Sequence, residues 1–130
     1  MALDEVYYSE DFSLELEYFY TVGGYVTFLV AVTVDGFCGV HAFCVRRADL
    51  DAMIRALEQL KDGQATLIDG ESASYLQVTG CGERVRFGGM LEGTAVSLQF
   101  SEAEADRTAV PELIAVLREF ADREELNAGV

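Results

Sequence analysis

The stretch from Tyr25 to Val45 constrains the fold of this chain most, because it holds two β-rich runs separated by Asp35-Gly36. Val, Thr, Tyr and Phe are frequent in both runs, and these residues suit a pleated, half-buried surface. An Asp-Gly pair between two such runs favours a type I′ turn, which needs positive φ at both central residues. The stretch therefore predicts the central β-hairpin of an antiparallel sheet.

Other strands follow from alternation and turn residues. Apolar and polar residues alternate from Phe12 to Tyr20, which predicts a strand with one buried and one solvated face. Both faces of the run from Tyr25 to Val34 are largely apolar, so we expect this strand to be central and covered on both sides. Short runs with Gly-bearing turns then predict an antiparallel meander, whose last strand spans residues 94–100 after a loop from Gly88 to Gly93.

Two segments have apolar residues at helical spacing, and each predicts an amphipathic helix. The apolar positions are Leu50, Met53, Ile54, Leu57 and Leu60 in the first segment, residues 49–61, and Leu113, Val116, Leu117 and Phe120 in the second. Thr108 is expected to cap the second helix, and Pro111 suits its first turn. The fold class predicted is α+β, with a curved antiparallel sheet of about six to seven strands and two amphipathic helices packed on it.

The length of 130 residues predicts one domain, residues 1–130, with loosely ordered ends at 1–11 and 123–130. Val6, Tyr7 and Tyr8 could add a short edge strand within the first of these ends. The first seventeen residues carry acids and no base, so no secretory signal is expected. A transmembrane span is not expected either, because Asp35 at its centre would cost about 2.5–3.5 kcal/mol.

The three cysteines do not suggest a disulfide framework. Cys38 and Cys44 would lie roughly 20 Å apart on one strand, too far to bridge, and Cys81 is left over. Proteins whose cysteines do not form disulfides are typical of a reducing compartment. We therefore expect a cytoplasmic protein.

The formal net charge of −14, from 23 acidic and 9 basic residues, limits the partners. Nucleic acids and anionic membranes are not expected, because they need clustered Lys and Arg. An acidic surface instead attracts a basic protein partner, bound by a monomer or a weak homodimer. The partner-binding candidates, chosen for expected exposure, are Glu10, Asp11, Glu15, Glu17, Glu102, Glu104, Asp106 and the aromatic anchors Tyr7 and Tyr8.

Catalytic and metal-binding patterns are not evident in the sequence. His41 is the single histidine, and no P-loop, Cys-x-x-Cys or His-Glu-x-x-His pattern occurs. An enzyme that uses His41 with Cys38 or Cys44 is an alternative, but these cysteines alternate onto the opposite face of the predicted strand. We expect no enzyme activity, no catalytic residue, no metal and no cofactor.

The order of the elements resembles that of the small immunity proteins of bacterial wall-associated and contact-dependent toxin systems, and of related actinobacterial domains of unknown function. After the hairpin, the segments that carry this resemblance are Asp49-Leu50-Asp51-Ala52-Met53, Leu57-Glu58-Gln59-Leu60, Gly63, Leu98-Gln99-Phe100 and Pro111-Glu112-Leu113. The resemblance covers residues 12–121. It implies a cytoplasmic, non-enzymatic inhibitor that neutralises a cognate toxin domain, and it transfers no catalytic residue.

Two further alternatives stay open. One is a module that binds a small apolar ligand in a pocket lined by Phe28, Phe37, Phe43 and Met53. The other is a structural or dimerisation domain of unknown role, which would use an exposed edge strand of the sheet.

Overall fold

A computed structural model describes residues 3–125, which form two four-stranded antiparallel sheets and two helices. In chain order the elements are β1 (Asp4–Tyr8), β2 (Phe12–Val22), β3 (Tyr25–Val34), β4 (Phe37–Arg46), α1 (Arg47–Glu58), β5 (Gln64–Ile68), β6 (Tyr75–Cys81), β7 (Arg84–Glu92), β8 (Ser97–Asp106) and α2 (Ala109–Ala121). Sheet A has the order β1-β2-β3-β4, and sheet B has the order β5-β6-β7-β8. A ββββα unit therefore occurs twice.

The α+β class, the antiparallel strands and the two helices are confirmed, but the single curved sheet of six or seven strands is wrong. β4 runs directly into α1, and β5 then pairs with β6 rather than with a strand of sheet A. The alternation of residues locates strands along the chain. It carries no information about which strands pair on either side of a helix.

The predicted hairpin is present, since β3 pairs with β4 from Tyr25 to Val34. Asp35 and Gly36 form its two-residue turn with φ values of 51° and 85°, as a type I′ turn requires. β3 is central in sheet A, but the prediction that both its faces are covered is wrong. Leu29 and Ala31 are only half-buried on the outer face, because sheet B and the helices cover only the inner face.

Three local predictions are corrected in the second half of the chain. The expected loop from Gly88 to Gly93 is mostly strand, because β7 continues to Glu92. The last strand begins at Ser97 rather than at 94 and continues to Asp106, so the acidic residues there lie in β8. Thr108 makes no capping hydrogen bond through its side chain and has helical backbone angles, φ −59° and ψ −20°.

At the start of the chain, the short edge strand expected at Val6, Tyr7 and Tyr8 is present and begins at Asp4. Within residues 1–11, Asp4–Tyr8 form β1, which pairs with β2 at the edge of sheet A. At the other end, residues 123–125 follow α2 without regular structure. The rest of the loosely ordered end expected there, residues 126–130, lies outside the described residues.

The inner faces of the two sheets and one side of each helix share one hydrophobic core. The ring of Phe12 lies 5.1 Å from that of Phe87 across the sheets, and Phe120 of α2 lies 5.4 Å from Phe28. Each large apolar side chain buried in this way contributes about 1.5–3 kcal/mol. Phe28 and Phe43 are fully buried and stacked whereas Phe37 is 70% exposed, so these residues do not line one ligand pocket.

The helices bury the stripes that their spacing predicts. Leu50, Met53, Ile54 and Leu57 are buried on α1, and Leu113, Leu117 and Phe120 are buried on α2. The two helices also pack against each other, and Arg118 of α2 pairs with Glu58 of α1. Within residues 3–125, neither helix has the length and apolar character needed to cross a membrane.

Candidate functional site

A cleft between the ends of the two sheets brings together side chains from both ββββα units. Its volume is about 470 Å³, within the range of about 300–1,000 Å³ that is common for ligand sites. Four carboxylate residues line it: Asp11 and Asp35 from the first unit, and Glu102 and Glu104 from the second. We refer to it as the acidic cleft.

The backbone positions two of these carboxylates in left-handed conformations. Asp35 has φ 51° in the type I′ turn, and Glu102 has φ 57°. The pairing of β7 with β8 shifts register between Phe87 and Gly89, so that two residues of β8 lie opposite one residue of β7. Such a β-bulge redirects side chains and is common next to functional sites. The bulge therefore sets the direction of Glu102 at the cleft.

The structure distributes the predicted partner-binding residues over four places. Tyr7, Asp11, Glu102 and Glu104 line the acidic cleft. Glu10 lies in the turn between β1 and β2, next to Asp11 but outside the lining. Glu15 and Glu17 lie on the outer face of sheet A, since they alternate with buried residues of β2, and Tyr8 lies on the same face because it pairs with Ser13. Asp106 lies at the end of β8.

Arginines of β7 already contact some of these carboxylates. The guanidinium of Arg84 lies 2.8 Å from a carboxylate oxygen of Asp106. Arg86 is farther from its partners, 3.6 Å from Glu102 and 4.0 Å from Glu104. All of these side chains are exposed, and exposed pairs contribute only about 0.2–1 kcal/mol each. Asp11 and Asp35 have no arginine partner among the ion pairs of the described residues.

A second group of polar side chains, formed by His41, Asp69 and Ser72, links the two sheets. We refer to these three residues together as the polar ring. The Nε2 atom of His41 lies 2.9 Å from Oδ2 of Asp69, and Ser72 donates its hydroxyl to the same oxygen at 2.6 Å. The Nδ1 atom of His41 lies 3.0 Å from the carbonyl oxygen of Glu92, at the end of β7. The polar ring therefore joins β4 to the loop after β5 and to sheet B.

The polar ring is not arranged as a hydrolase triad. In such a triad the hydroxyl and the carboxylate lie at opposite nitrogens of the histidine, whereas Ser72 and Asp69 both contact Nε2. The carbonyl of Glu92 and the ionised carboxylate of Asp69 can only accept hydrogen bonds. The Nε2 atom of His41 therefore donates to Asp69 and is not free to take a proton from Ser72.

Hydrogen bonds keep the carboxylate of Asp69 ionised. Burial by itself raises the pKa of Asp69, but four hydrogen bonds outweigh it and hold the pKa below its ordinary value of 3.8. The donors are the backbone N–H of Cys44, the hydroxyl of Ser72, the ring of His41 and the backbone N–H of Glu71. Donors to a carboxylate stabilise its charged form.

The cysteines next to the polar ring do not form a catalytic pair with His41. Burial raises the pKa of the Cys44 thiol, and the carboxylates of Glu71 and Asp69 raise it further, although a hydrogen bond with Thr27 offsets part of this rise. A thiol with a raised pKa is protonated and weakly nucleophilic at neutral pH. Cys44 and Cys38 lie on the outer face of β4, opposite to His41, as the alternation predicts.

Asp69 and Ser72 are the residues of this region that sequence analysis missed. They lie around the Asp69-Gly70-Glu71 turn, where acidic and small residues are ordinary turn formers. His41 is 28 positions away from Asp69 in sequence, and no local pattern signals their contact. Within residues 3–125, no group of three or more His, Cys, Asp or Glu side chains is arranged to hold a metal ion.

Comparison with known proteins does not place the chain in a family. No protein-family model matches it, and no curated protein matches it either. The resemblance to immunity proteins therefore stays a prediction.

Proposed function

We propose that this chain is a non-enzymatic binding protein that holds a basic protein partner in the acidic cleft, as an immunity protein holds its toxin. The observation that carries the proposal is the convergence of Asp11, Asp35, Glu102 and Glu104 on one cleft. These residues come from distant parts of the sequence. The cleft is large enough to accept Lys or Arg side chains of a partner.

Electrostatics supports a basic partner. The chain has 23 acidic and 9 basic residues, so carboxylates remain in excess even where arginines pair with them. A strongly negative protein attracts a positive one over a distance, and complementary charge raises association rates toward about 10⁸–10⁹ M⁻¹s⁻¹ at low salt. Arg86 makes only long contacts with Glu102 and Glu104, so a partner's guanidinium could replace it at little cost.

An aromatic side chain gives the acidic cleft an apolar anchor. Tyr7 is half-buried in the lining, and its ring lies 6.1 Å from that of Phe12. Tyrosine is enriched among interface residues that contribute most to affinity, because it offers a large apolar surface together with a hydroxyl group. We expect Tyr7, rather than the outward-facing Tyr8, to contact the partner.

The test begins with the product of the gene adjacent to that of this chain, co-purified with it and then titrated for Kd and association rate. The triple variant Asp11→Asn, Glu102→Gln, Glu104→Gln removes three charges from the cleft region. We expect a loss of affinity of roughly tenfold or more, about 1.4 kcal/mol, together with a lower association rate and a weaker dependence on salt.

The matched control is the triple variant Glu5→Gln, Glu15→Gln, Glu17→Gln. It removes the same charge from the outer face of sheet A, where Glu5 pairs with Glu15 across β1 and β2. It should bind almost as tightly as the natural chain. Equal losses in both variants would contradict the cleft as the binding site, and an adjacent gene product that does not bind would contradict the immunity role.

A further inference from the structure

Four strands lie at the edges of the two sheets, and three of them carry features that prevent pairing with another chain. β1 has Asp4 and Glu5 and a register shift, β5 is five residues long and contacts α1, and β8 is rich in acids and bulged. Charge, bulges, short length and cover by a helix are the usual protections of edge strands. β4 is the exception, because residues 37–45 contain no Asp, Glu, Lys, Arg or Pro.

The type I′ turn determines which backbone groups of β4 face away from sheet A. In such a turn Phe37 is hydrogen-bonded to Val34, so the backbone groups of every second residue from Phe37 bond to β3. The backbone N–H and C=O groups of the residues between them point away from β3, toward the free edge of the sheet. Cys44 is one of the residues whose backbone groups point away from β3, and its hydrogen bonds confirm this: its N–H donates to Oδ1 of Asp69 and its carbonyl accepts from the N–H of Gly70. The loop after β5 therefore occupies the edge at Cys44.

The outward backbone groups of Cys38, Val40 and Ala42 have no such partner within residues 3–125, and all three residues are exposed. Two exposed apolar side chains lie on the same segment, Phe37 at 70% and Val40 at 54%. An edge of this kind is a template for a further strand.

We propose that β4 pairs antiparallel with β4 of a second copy of this chain, around a two-fold axis at Gly39. In this register Cys38 of one copy faces Val40 of the other, and Phe37 faces His41. The outward backbone groups of Cys38 and Val40 in one copy bond to those of Val40 and Cys38 in the other, which makes the contact self-complementary. The Asp69–Gly70 loop limits the length of the pairing, since a register centred at Gly39 ends before the backbone groups of Cys44 that the loop uses.

The charge distribution favours a second copy over the basic partner. Residues 37–45 offer no carboxylate to a basic strand. The acids nearest to β4, Asp35 in the turn and Glu71 beside Cys44, lie at the ends of the paired segment rather than within it. Glu15 and Glu17 lie two strands from the seam between the copies, and at about 4.8 Å per strand these two acids are about 24 Å from their counterparts in the other copy. The Debye length at physiological salt is about 8 Å, so their repulsion is screened.

The first experiment measures molar mass by light scattering over a range of concentrations. The natural chain should have twice the monomer mass, and Val40→Lys should return it to a monomer, since a charge at the seam blocks pairing. The matched control is Val96→Lys, at a site that is 79% exposed and outside β4. It should remain a dimer, and circular dichroism should show that both variants are folded. A natural chain that stays monomeric, or equal dissociation of both variants, would overturn the proposal.

The second experiment tests the register by oxidation. Val40→Cys places a thiol opposite Cys38 of the other copy, at a Cα separation of about 5.5 Å, within the range of about 4.4–6.8 Å that a disulfide spans. We expect a covalent dimer, and its loss in the double variant Val40→Cys, Cys38→Ser. No covalent dimer, or one that survives Cys38→Ser, would overturn the proposed pairing. The cleft variant Asp11→Asn, Glu102→Gln, Glu104→Gln should remain a dimer. The experiments can therefore contradict the β4–β4 pairing and the acidic cleft independently of each other.

Discussion

Asp69 joins the two halves of the chain through hydrogen bonds to its buried carboxylate. Its carboxylate is 1% exposed and accepts hydrogen bonds from two backbone N–H groups and two side chains. The polar ring that it forms with His41 and Ser72 joins β4, the loop after β5 and the carbonyl of Glu92. A buried carboxylate is costly unless its hydrogen bonds are complete, and here the donors come from separate elements.

The Asp69→Asn variant should therefore lose about 2–3 kcal/mol of unfolding free energy at neutral pH, because hydrogen bonds to a charged group contribute about 1.5–3 kcal/mol. The amide has one acceptor atom and cannot accept from both His41 and the backbone of Cys44. Urea unfolding measures the change. Asp106→Asn is the control, since Asp106 is exposed and paired only with Arg84, and it should cost less than about 1 kcal/mol.

The effect of Asp69 should depend on pH in a defined direction. Its folded-state pKa is lowered, so its contribution is complete above the ordinary value of 3.8 and is lost as the pH falls through the lower folded pKa. Urea titrations in acid should therefore show a smaller gap between the natural chain and Asp69→Asn than at neutral pH. A gap that widens in acid would contradict ionisation of Asp69 in the folded state.

Among the elements, the contact of β6 with the segment after α1 depends on a single glycine. The N–H of Gly80 donates to the carbonyl of Gly63 at 2.9 Å, and a Cβ at Gly80 would overlap the carbonyl oxygen of Lys61. Gly80→Ala should therefore displace the backbone and cost about 1–3 kcal/mol. Gly63→Ala is the control, because a Cβ there meets nothing within 4 Å. Equal denaturant midpoints for the two variants would contradict this close approach.

Most elements and the β3–β4 hairpin could be predicted from the sequence, but the division of the strands into two sheets could not. The turn at Asp35-Gly36 and the helical stripe around Leu50 are local signals, so the hairpin and α1 are found where the residues indicate. The acidic cleft depends on contact between the two ββββα units and on the bulge at Glu102. Both arise from tertiary packing. The sequence therefore identifies Asp11 and Glu102 as acids without revealing that they share a cleft.

At the scale of the whole molecule, the excess of carboxylates should make stability and partner binding respond to salt in opposite directions. The charge of −14 is carried by one folded chain, and self-repulsion of like charges destabilises a compact state. Salt screens this repulsion in the folded protein, whereas it also screens the attraction of a basic partner to the acidic cleft.

We therefore expect the thermal midpoint at neutral pH to rise as NaCl is increased from low to physiological concentration. A gain of about 1 kcal/mol corresponds to roughly 3–5 °C for a chain of this length. The control is the same titration near the isoelectric point of about 4.2, where the net repulsion vanishes and the rise should disappear. Scanning calorimetry of the purified chain measures both. A midpoint that falls with salt at neutral pH would mean that attractive ion pairs outweigh the repulsion, and it would contradict the expected self-repulsion of the folded chain.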